Sequence, residues 1–222
     1  MRYEYKYLIS AAGAEIVRSR LSAVLQPDPF AGSDGTYRIT SLYFDDRFDR
    51  ALEEKRDGVR DRFKFRIRYY NDDPAFIRLE KKAKHGAISE KLGVRISRET
   101  ADRLLTDPFS VESDDPVLSE FVIRLRQERY APVAFVDYRR RTFCYPVNDV
   151  RITIDSVVSG SRFGGSLFSP DRVRIPVLPQ GESVLEIKFD RALPPHLREL
   201  LLDVPKTATA FSKFALCRMA LC

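Results

Sequence analysis

The stretch Arg62-Phe63-Lys64-Phe65-Arg66-Ile67-Arg68 alternates cations with apolar residues without interruption. Successive side chains of a β-strand point to opposite faces of the sheet, so this stretch predicts a strand with one basic and one apolar face. The same rhythm returns in 78–84, 151–155 and 186–190, and it opens the chain at 4–6. Like charges directly opposite each other on neighbouring strands destabilise a sheet. Several such strands therefore predict a basic surface that an anionic ligand occupies.

The overall charge points to the same kind of partner. The chain has 222 residues, of which 32% are charged, and its formal net charge is +6. Nucleotides, polyanions, nucleic acids and acidic membrane surfaces all fit this charge, and so does ordinary solubility charge. The length fits one large domain or two small ones, and we expect a single domain over 1–222.

Several classes of protein are not expected from the composition. No stretch approaches 18 consecutive apolar residues, so no transmembrane helix is predicted. The N-terminal segment lacks the features of a signal peptide, and a cytoplasmic location is expected. The cysteines (Cys144, Cys217 and Cys222) form no CxxC pair, and the histidines (His85 and His196) show no paired spacing, so a zinc site is not expected.

Turn signals and hydrophobic periodicity predict an antiparallel α+β domain in which strands dominate. Residues 45–56 are expected to form a charged connector with some helical character, and 85–96 a loop with a short strand. The segment 159–180 is rich in Gly, Ser and Pro and is predicted to be a mobile loop. Strands are predicted near 2–9, 37–44, 60–70, 75–84, 132–144, 149–158 and 183–190. Helices are predicted near 11–25, 98–106, 116–129 and 194–202, and from about 212.

The cations on the polar faces suit phosphate oxygens, which Arg binds with a planar fork and Lys with a compact charge. If the strands close into a barrel, these faces line its lumen. The alternative is the solvated side of a sheet, which would carry mixed signs and short polar residues.

Carboxylates share these faces at Glu4, Glu80, Asp155 and Glu186. They can hold a divalent cation beside phosphates, or they can pair with neighbouring Lys and Arg. Glu186 is the favoured metal ligand, and both interpretations stay open for Glu4 and Glu80. Ser212-Lys213 begins the last predicted helix, where a phosphate is favoured, although an ordinary Ser cap fits as well.

An ordered set of short motifs extends over essentially the whole chain. Together they resemble the polyphosphate-polymerase domain of the vacuolar transporter chaperone (VTC) family, part of the triphosphate tunnel metalloenzyme superfamily. The motifs are Glu4-x-Lys6-Tyr7, Ser41-Leu-Tyr43-Phe-Asp45, Lys64-x-Arg66-x-Arg68, Leu79-Glu80-x-Lys82, Tyr138-x-Arg140, Arg151-x-Thr153-x-Asp155, Leu185-Glu186-x-Lys188 and Ser212-Lys213-Phe214.

The resemblance implies an eight-stranded antiparallel β-barrel tunnel, flanked by helices, that binds ATP, triphosphate or polyphosphate with Mn²⁺ or Mg²⁺. It implies that Glu186 binds the metal and that Glu4 and Glu80 orient cations or add metal ligands. Cations with a catalytic role would be Arg66, Arg68, Lys82, Arg140 and Lys188. Further phosphate contacts would come from Lys6, Lys91, Arg151, Lys213, Ser41 and Tyr43, and the basic strands and the helix start add Lys64, Lys84 and Ser212.

The leading hypothesis is transfer of the ATP γ-phosphate to a polyphosphate chain. The nucleotide-hydrolysing branch of the superfamily opens with Glu-x-Glu-x-Lys, whereas this chain has Arg2 at the first position. This difference favours the polymerase-like branch. A metal-dependent triphosphatase and a non-catalytic sensor of polyphosphate or inositol phosphates remain as alternatives. Nucleic acid is not expected, because the interleaved aromatic residues lie on the opposite, core face. The oligomeric state stays open.

Overall fold

A computed structural model describes residues 2–26, 28, 30–86, 88–169 and 171–221. The chain has an α+β fold with a large antiparallel sheet and six helices in the described residues. The strands are β1 (Arg2–Ile9), β2 (Tyr37–Asp45), β3 (Asp61–Tyr70), β4 (Asp73–His85), β5 (Ile88–Ile96), β6 (Ala131–Tyr145), β7 (Val150–Ser161), β8 (Ile175–Pro176), β9 (Ser183–Asp190) and β10 (Thr207–Ala208). The helices are α1 (Ala11–Ser22), α2 (Arg50–Arg56), α3 (Arg98–Thr106), α4 (Pro116–Gln127), α5 (Pro195–Leu202) and α6 (Lys213–Ala220).

The strand order corrects the prediction of a closed barrel. The hydrogen-bonded order is β10-β1-β9-β7-β6-β2-β3-β4-β5, and β8 pairs with β7. Among the described strands this order has two ends, at β10 and β5. It contains nine strands, and with β8 the sheet has ten instead of eight. The antiparallel α+β class is confirmed, whereas the eight-stranded closed barrel is not.

The chain divides into two compact units. The first unit comprises 1–38, 138–158 and 178–212, and the second comprises 39–137, 159–177 and 213–222. Each unit has its own hydrophobic core. Within the described residues, no helix has both the length and the apolar character needed to cross a bilayer.

In the first unit, β1, β9 and the early part of β7 bury their apolar face under α1 and α5. Ile152, Leu185 and Leu197 are fully or almost fully buried in this core. Helix α1 begins where the Ser10 hydroxyl accepts a hydrogen bond from the Gly13 backbone N–H at 3.1 Å, as an N-cap does. The predicted strand and helix positions are confirmed here.

In the second unit, the apolar face of β2, β3 and β4 packs against α3 and α4. Phe65 and Ile67, which lie between the cations of the opening stretch, are fully buried with Phe121 of α4. The alternation of that stretch therefore produces one basic and one core face, as predicted. Helix α4 begins at Pro116 after Asp115, whose carboxylate accepts the Val117 backbone N–H at 2.9 Å.

Two segments are more regular than predicted, and a third, the connector 45–56, has the helical character that was expected. The connector 45–56 contains α2, and the expected loop and short strand at 85–96 become the nine-residue strand β5. The segment 159–180 starts with the end of β7 and contains β8, which pairs with Ser159 and Gly160. Pairing partners supplied by other segments extend β5 and β8, and such partners are not visible in local sequence.

Candidate phosphate-binding and metal-binding faces

The second unit carries a strongly basic sheet face on β3, β4 and β5. Twelve described positions on this face fall into four rows of direct register partners, which we call the basic grid. The rows are Arg62, Lys84 and Ser89; Lys64, Lys82 and Lys91; Arg66, Glu80 and Gly93; and Arg68, Arg78 and Arg95. Nine of the twelve residues are Lys or Arg, and Glu80 is the single carboxylate. Like charges lie directly opposite each other in two complete rows, an arrangement that destabilises an unliganded sheet.

Glu80 is the acidic centre of the basic grid and is almost fully buried. Its carboxylate accepts a hydrogen bond from Arg66 Nε at 2.7 Å and lies 2.5 Å from Lys91 Nζ, 3.7 Å from Arg68 Nη1 and 3.9 Å from Arg78 Nε. Burial raises the pKa of Glu80, but the charges of Arg66, Arg68 and Lys91 outweigh it and lower the pKa to about 2. The carboxylate is therefore ionised at neutral pH and holds four cations in place.

Two hydroxyl groups on β2 hold the same arginines from the other side. Arg66 Nη1 donates to the Tyr43 hydroxyl at 2.7 Å, and Arg68 Nε donates to Ser41 Oγ at 3.1 Å. Register pairs Tyr43 with Arg66 and Ser41 with Arg68 across β2 and β3. Both guanidinium groups are thus fixed on two sides, which preorganises them for an anion.

The last helix packs against this face. Phe214, one residue after the start of α6, lies 4.8 Å from the Tyr43 ring between centroids and is almost fully buried. Lys64 Nζ lies 4.9 Å from the Phe214 ring centroid and 5.2 Å from that of Tyr43. The predicted phosphate ligand Lys213 therefore begins a helix whose first turn is anchored beside the basic grid.

Lys91 differs from an ordinary surface lysine. Burial lowers its pKa, Glu80 raises it, and the neighbouring Arg68 and Arg66 lower it further, giving a value of about 8. Part of the Lys91 population is therefore neutral in the unliganded protein just above neutral pH. An anion bound beside Lys91 would favour its charged form.

Tyr43 is expected to titrate near neutral pH in the unliganded protein. Burial raises its pKa, but the charges of Arg66, Lys64 and Arg68 outweigh burial and lower the pKa to about 7. A triphosphate bound beside these cations would cancel their field and return the pKa towards the usual value of about 10. Binding then takes up a proton above pH 7, so the Tyr43-dependent part of the affinity should fall as the pH rises through 7.

The measurement is the ultraviolet absorbance of tyrosinate against pH, with and without triphosphate. Tyr43→Phe provides the control, because it removes this hydroxyl and leaves the nine other tyrosines of the chain. We expect the near-neutral titration to disappear in Tyr43→Phe and to move to higher pH when triphosphate is added to the wild type. A near-neutral titration that persists in Tyr43→Phe would contradict this prediction.

The first unit carries a polar face of mixed sign on β1, β9 and β7. Register places Glu4 opposite Lys188 and Lys6 opposite Glu186, so charges alternate both along and across the strands. Lys6 Nζ lies 3.1 Å from Glu4 and 3.9 Å from Glu186, whereas Lys188 Nζ lies 3.6 Å from Glu4 and 3.3 Å from Glu186. Each carboxylate therefore contacts both lysines.

Arg140 extends this face on β6. Its Nε and Nη2 each donate to one oxygen of the fully buried Asp155 at 2.6 Å, and Nη2 lies 3.7 Å from Glu186. Burial lowers the pKa of Arg140, but Asp155 outweighs it and raises the pKa well above its ordinary value. Arg151, opposite Lys188, donates to the Tyr37 hydroxyl at 3.2 Å.

The oxygen ligands on this mixed face fit a hard divalent cation. Glu186 is almost fully buried, and its register partner on β7 is Thr153, whose buried hydroxyl has no hydrogen-bond partner among the described residues. Mg²⁺ is commonly held by one or two carboxylates together with substrate phosphates, so a full protein cage is not required. Consistent with that, the described residues contain no group of three or more His, Cys, Asp or Glu positioned around a common cation.

The predicted site residues thus fall into two sets. The second unit brings together Ser41, Tyr43, Lys64, Arg66, Arg68, Glu80, Lys82, Lys84, Lys91 and Lys213. The first unit contains Glu4, Lys6, Arg140, Arg151, Glu186, Lys188 and Ser212.

Sequence reasoning left Arg78, Arg95 and Thr153 out of the site. Arg78 and Thr153 lie at alternate positions with the predicted site residues of their strands, so the alternation in the sequence could have identified them. Arg95 lies where only a short strand was expected, and its membership depends on the full length of β5.

Two solved structures are similar to this chain, and the first of them supports the fold. A Bacillus halodurans protein that is provisionally assigned as an adenylate cyclase matches with a TM-score of 0.51 and 16% identity. The match covers 92% of this chain and 87% of the Bacillus halodurans chain. The Pyrococcus horikoshii OT3 protein PH1819 matches with a TM-score of 0.49 and 15% identity, over 98% and 99% of the two chains. At these identities, the similarity concerns the fold alone.

Comparison of sequences identifies the family. No curated protein matches significantly. The model of the VTC domain family, however, matches residues 1–222. The resemblance carried by the ordered motifs is therefore confirmed over the whole sequence, and the chain belongs to the VTC domain family.

Proposed function

We propose that the protein transfers the γ-phosphate of ATP to a polyphosphate chain with the help of a divalent cation, Mn²⁺ or Mg²⁺. The observation that carries this proposal is the basic grid, which contains nine cations and a single carboxylate. In two of its rows, like charges lie directly opposite each other. A bound polyanion would relieve that repulsion. Membership of the VTC domain family supports the same substrate class.

The basic grid suits the oxygens of a phosphate chain. Its rows contain arginines, which form planar two-pronged hydrogen bonds, and lysines, which supply point charges. Glu80, Ser41 and Tyr43 hold Arg66 and Arg68 in fixed positions before a ligand arrives. Because these groups are preorganised, they stabilise negative charge without a large reorganisation during the reaction.

Phosphoryl transfer requires little covalent chemistry from the protein. A terminal phosphate oxygen of the acceptor chain forms a bond to the γ-phosphorus, the bond from that phosphorus to the β–γ bridging oxygen breaks, and ADP leaves. Positioning and charge neutralisation supply most of the catalysis. We assign these roles to Arg66, Arg68 and Lys82 in the second unit, and to Arg140 and Lys188 in the first.

A divalent cation would neutralise phosphate charge when it is bound. We propose Glu186 as its principal ligand, with Glu4 and the Thr153 hydroxyl as further oxygen donors on the mixed face. Glu80 is assigned to orienting cations, because four of them surround its carboxylate. ATP as the donor is consistent with the cytoplasmic location that the sequence predicts.

The test is incubation of purified protein with ATP and Mn²⁺, and in parallel with Mg²⁺, with and without a short polyphosphate primer. ADP, free phosphate and polymer are measured in the same sample. We expect ADP formation matched by phosphate incorporated into polymer. Free phosphate without polymer would assign a triphosphatase instead, and tight binding without turnover would assign a sensor. Both results would overturn the proposed transfer.

Glu186→Gln is expected to lose most metal-dependent activity while it retains phosphate binding. The amide has nearly the shape of the carboxylate but lacks the charge that binds a cation, and it leaves every Lys and Arg in place. We expect at least about a 100-fold loss of turnover, the size seen when one electrostatic group of a catalytic site is removed. Turnover is measured against Mn²⁺ concentration, and triphosphate affinity is measured in parallel.

Glu182→Gln is the matched control for this variant. Glu182 is a partly exposed residue just before β9, so the same change of charge is made in the same unit outside the strands that carry the mixed face. Equal activity of Glu186→Gln and wild type at every Mn²⁺ concentration would remove Glu186 from the metal site.

A further inference from the structure

We infer that Arg78 and Arg95 extend the basic grid into a subsite for phosphate groups of a chain longer than triphosphate. This inference rests on the proposed function and assigns a role to two residues outside the predicted site. It makes long polyphosphate, and not only triphosphate, the ligand for which the second unit is built.

Register provides the first argument. Arg68, Arg78 and Arg95 are direct partners across β3, β4 and β5, so three arginines lie side by side on one face. Glu80 in the adjacent row is the nearest carboxylate of the basic grid, and Arg66 and Lys91 contact it more closely than Arg78 does. This row therefore carries positive charge that Glu80 does not neutralise.

The contacts of Arg78 provide the second argument. Its Nη2 donates to the Gly93 carbonyl at 3.2 Å, whereas its Nε is buried without a hydrogen-bond partner among the described residues. A Cβ atom at Gly93 would lie 3.0 Å from the Leu79 carbonyl oxygen and 3.3 Å from Glu80 Cγ, and 3.4 Å from Arg78 Nη2. Glycine at this position allows the close approach of β4 and β5, and the Arg78 side chain beside it remains partly exposed to a ligand.

Arg95 is held at the edge of the same row. Its Nη2 donates to the Ala75 carbonyl at 2.8 Å, and its guanidinium carbon lies 5.3 Å from the Phe76 ring centroid. The residue is exposed. A guanidinium group that is oriented by one backbone acceptor and one aromatic ring keeps further N–H donors for an anion.

The dimensions of the basic grid separate short ligands from long ones. Rows lie two residues apart along the strands, so the four rows extend over about 20 Å. A triphosphate that binds beside Lys82, Arg66 and Arg68 does not cover this length. A longer chain that follows the strands passes the central rows and reaches Arg78 and Arg95.

The test is the double variant Arg78→Ala/Arg95→Ala, with dissociation constants measured for triphosphate and for a long polyphosphate at one fixed salt concentration. Two lost arginine contacts should weaken long-chain binding at least about tenfold while triphosphate affinity changes less than about twofold. Arg56→Ala/Arg103→Ala is the matched control, because it removes two exposed helical arginines from the same unit. Circular dichroism verifies the fold, and Arg95→Ala alone replaces the double variant if that variant does not fold.

The outcomes distinguish this inference from the proposed function. Equal weakening of both ligands would make the two arginines part of the triphosphate site, and no weakening of either would make them solvated surface; both results overturn the inference and leave the proposed function intact. Failure of the wild-type protein to bind polyphosphate at all would overturn both. Arg78→Lys/Arg95→Lys, which keeps the charge, is expected to recover part of the long-chain affinity.

Discussion

Replacement of Arg66 and Arg68 by alanine is expected to reduce triphosphate affinity at least about 100-fold, because each charge-assisted contact contributes about 1.5–3 kcal/mol. Arg66 lies in a central row of the basic grid and Arg68 lies two residues further along β3. Both are held by contacts with Glu80, Tyr43 or Ser41. Their charge and their orientation are lost together. Calorimetric titration with triphosphate measures the effect.

The control must separate binding from folding. Without the two arginines, the buried carboxylate of Glu80 keeps only its contacts with Lys91 and Arg78 among the ion pairs described above, so some stability is lost as well. Addition of Glu80→Gln removes that buried charge and should restore stability without restoring binding. Wild-type triphosphate affinity in the folded triple variant would disprove the assignment of this face.

Asp137→Ala is expected to lower the free energy of unfolding by about 3–5 kcal/mol, the cost of breaking a buried ion pair. Asp137 accepts hydrogen bonds from Thr40 Oγ1 at 2.7 Å and from Arg172 Nη2 at 3.3 Å. The Arg172 side chain is 4% exposed and its guanidinium carbon lies 3.8 Å from the Phe135 ring centroid. The variant therefore leaves a buried guanidinium group without its carboxylate. Urea denaturation measures the change.

The matched variant is Asp137→Ala/Arg172→Met, which removes both charges and keeps an apolar side chain against Phe135. We expect it to be more stable than Asp137→Ala, because no charge is left unpaired in the core. Hydrogen exchange of 159–177 should increase in Asp137→Ala, since Arg172 connects this segment to Asp137 of β6 within the second unit. A loss of unfolding free energy below about 1 kcal/mol in Asp137→Ala would contradict this prediction, because it would be no larger than the contribution of an exposed ion pair.

The contact between Arg172 and Asp137 is one that the sequence of segment 159–180 does not reveal. Its Gly, Ser and Pro residues are typical of loops, and nothing in the local sequence identifies Asp137 as a partner. The two residues meet only after β6 and this segment have folded into the same unit. A contact between residues so distant in sequence cannot be predicted from a local pattern.

The alternation of charge and apolar residues by itself determined which side chains share a face. Glu80, Arg66 and Arg68 belong together on the polar face because a strand repeats every two residues, and Phe65 and Ile67 enter the core for the same reason. The ordered motifs also identified the VTC domain family, as the family match over 1–222 confirms. The roles of the individual residues stay predictions.

The tertiary structure alone decided which cations lie opposite each other. A register shift of two residues keeps every side chain on the same face, so alternation cannot distinguish one register from the next. The observed register places Lys64, Lys82 and Lys91 in one row and Arg68, Arg78 and Arg95 in another. Turns and core packing fix this choice, and through it they determine where positive charge accumulates on the second unit.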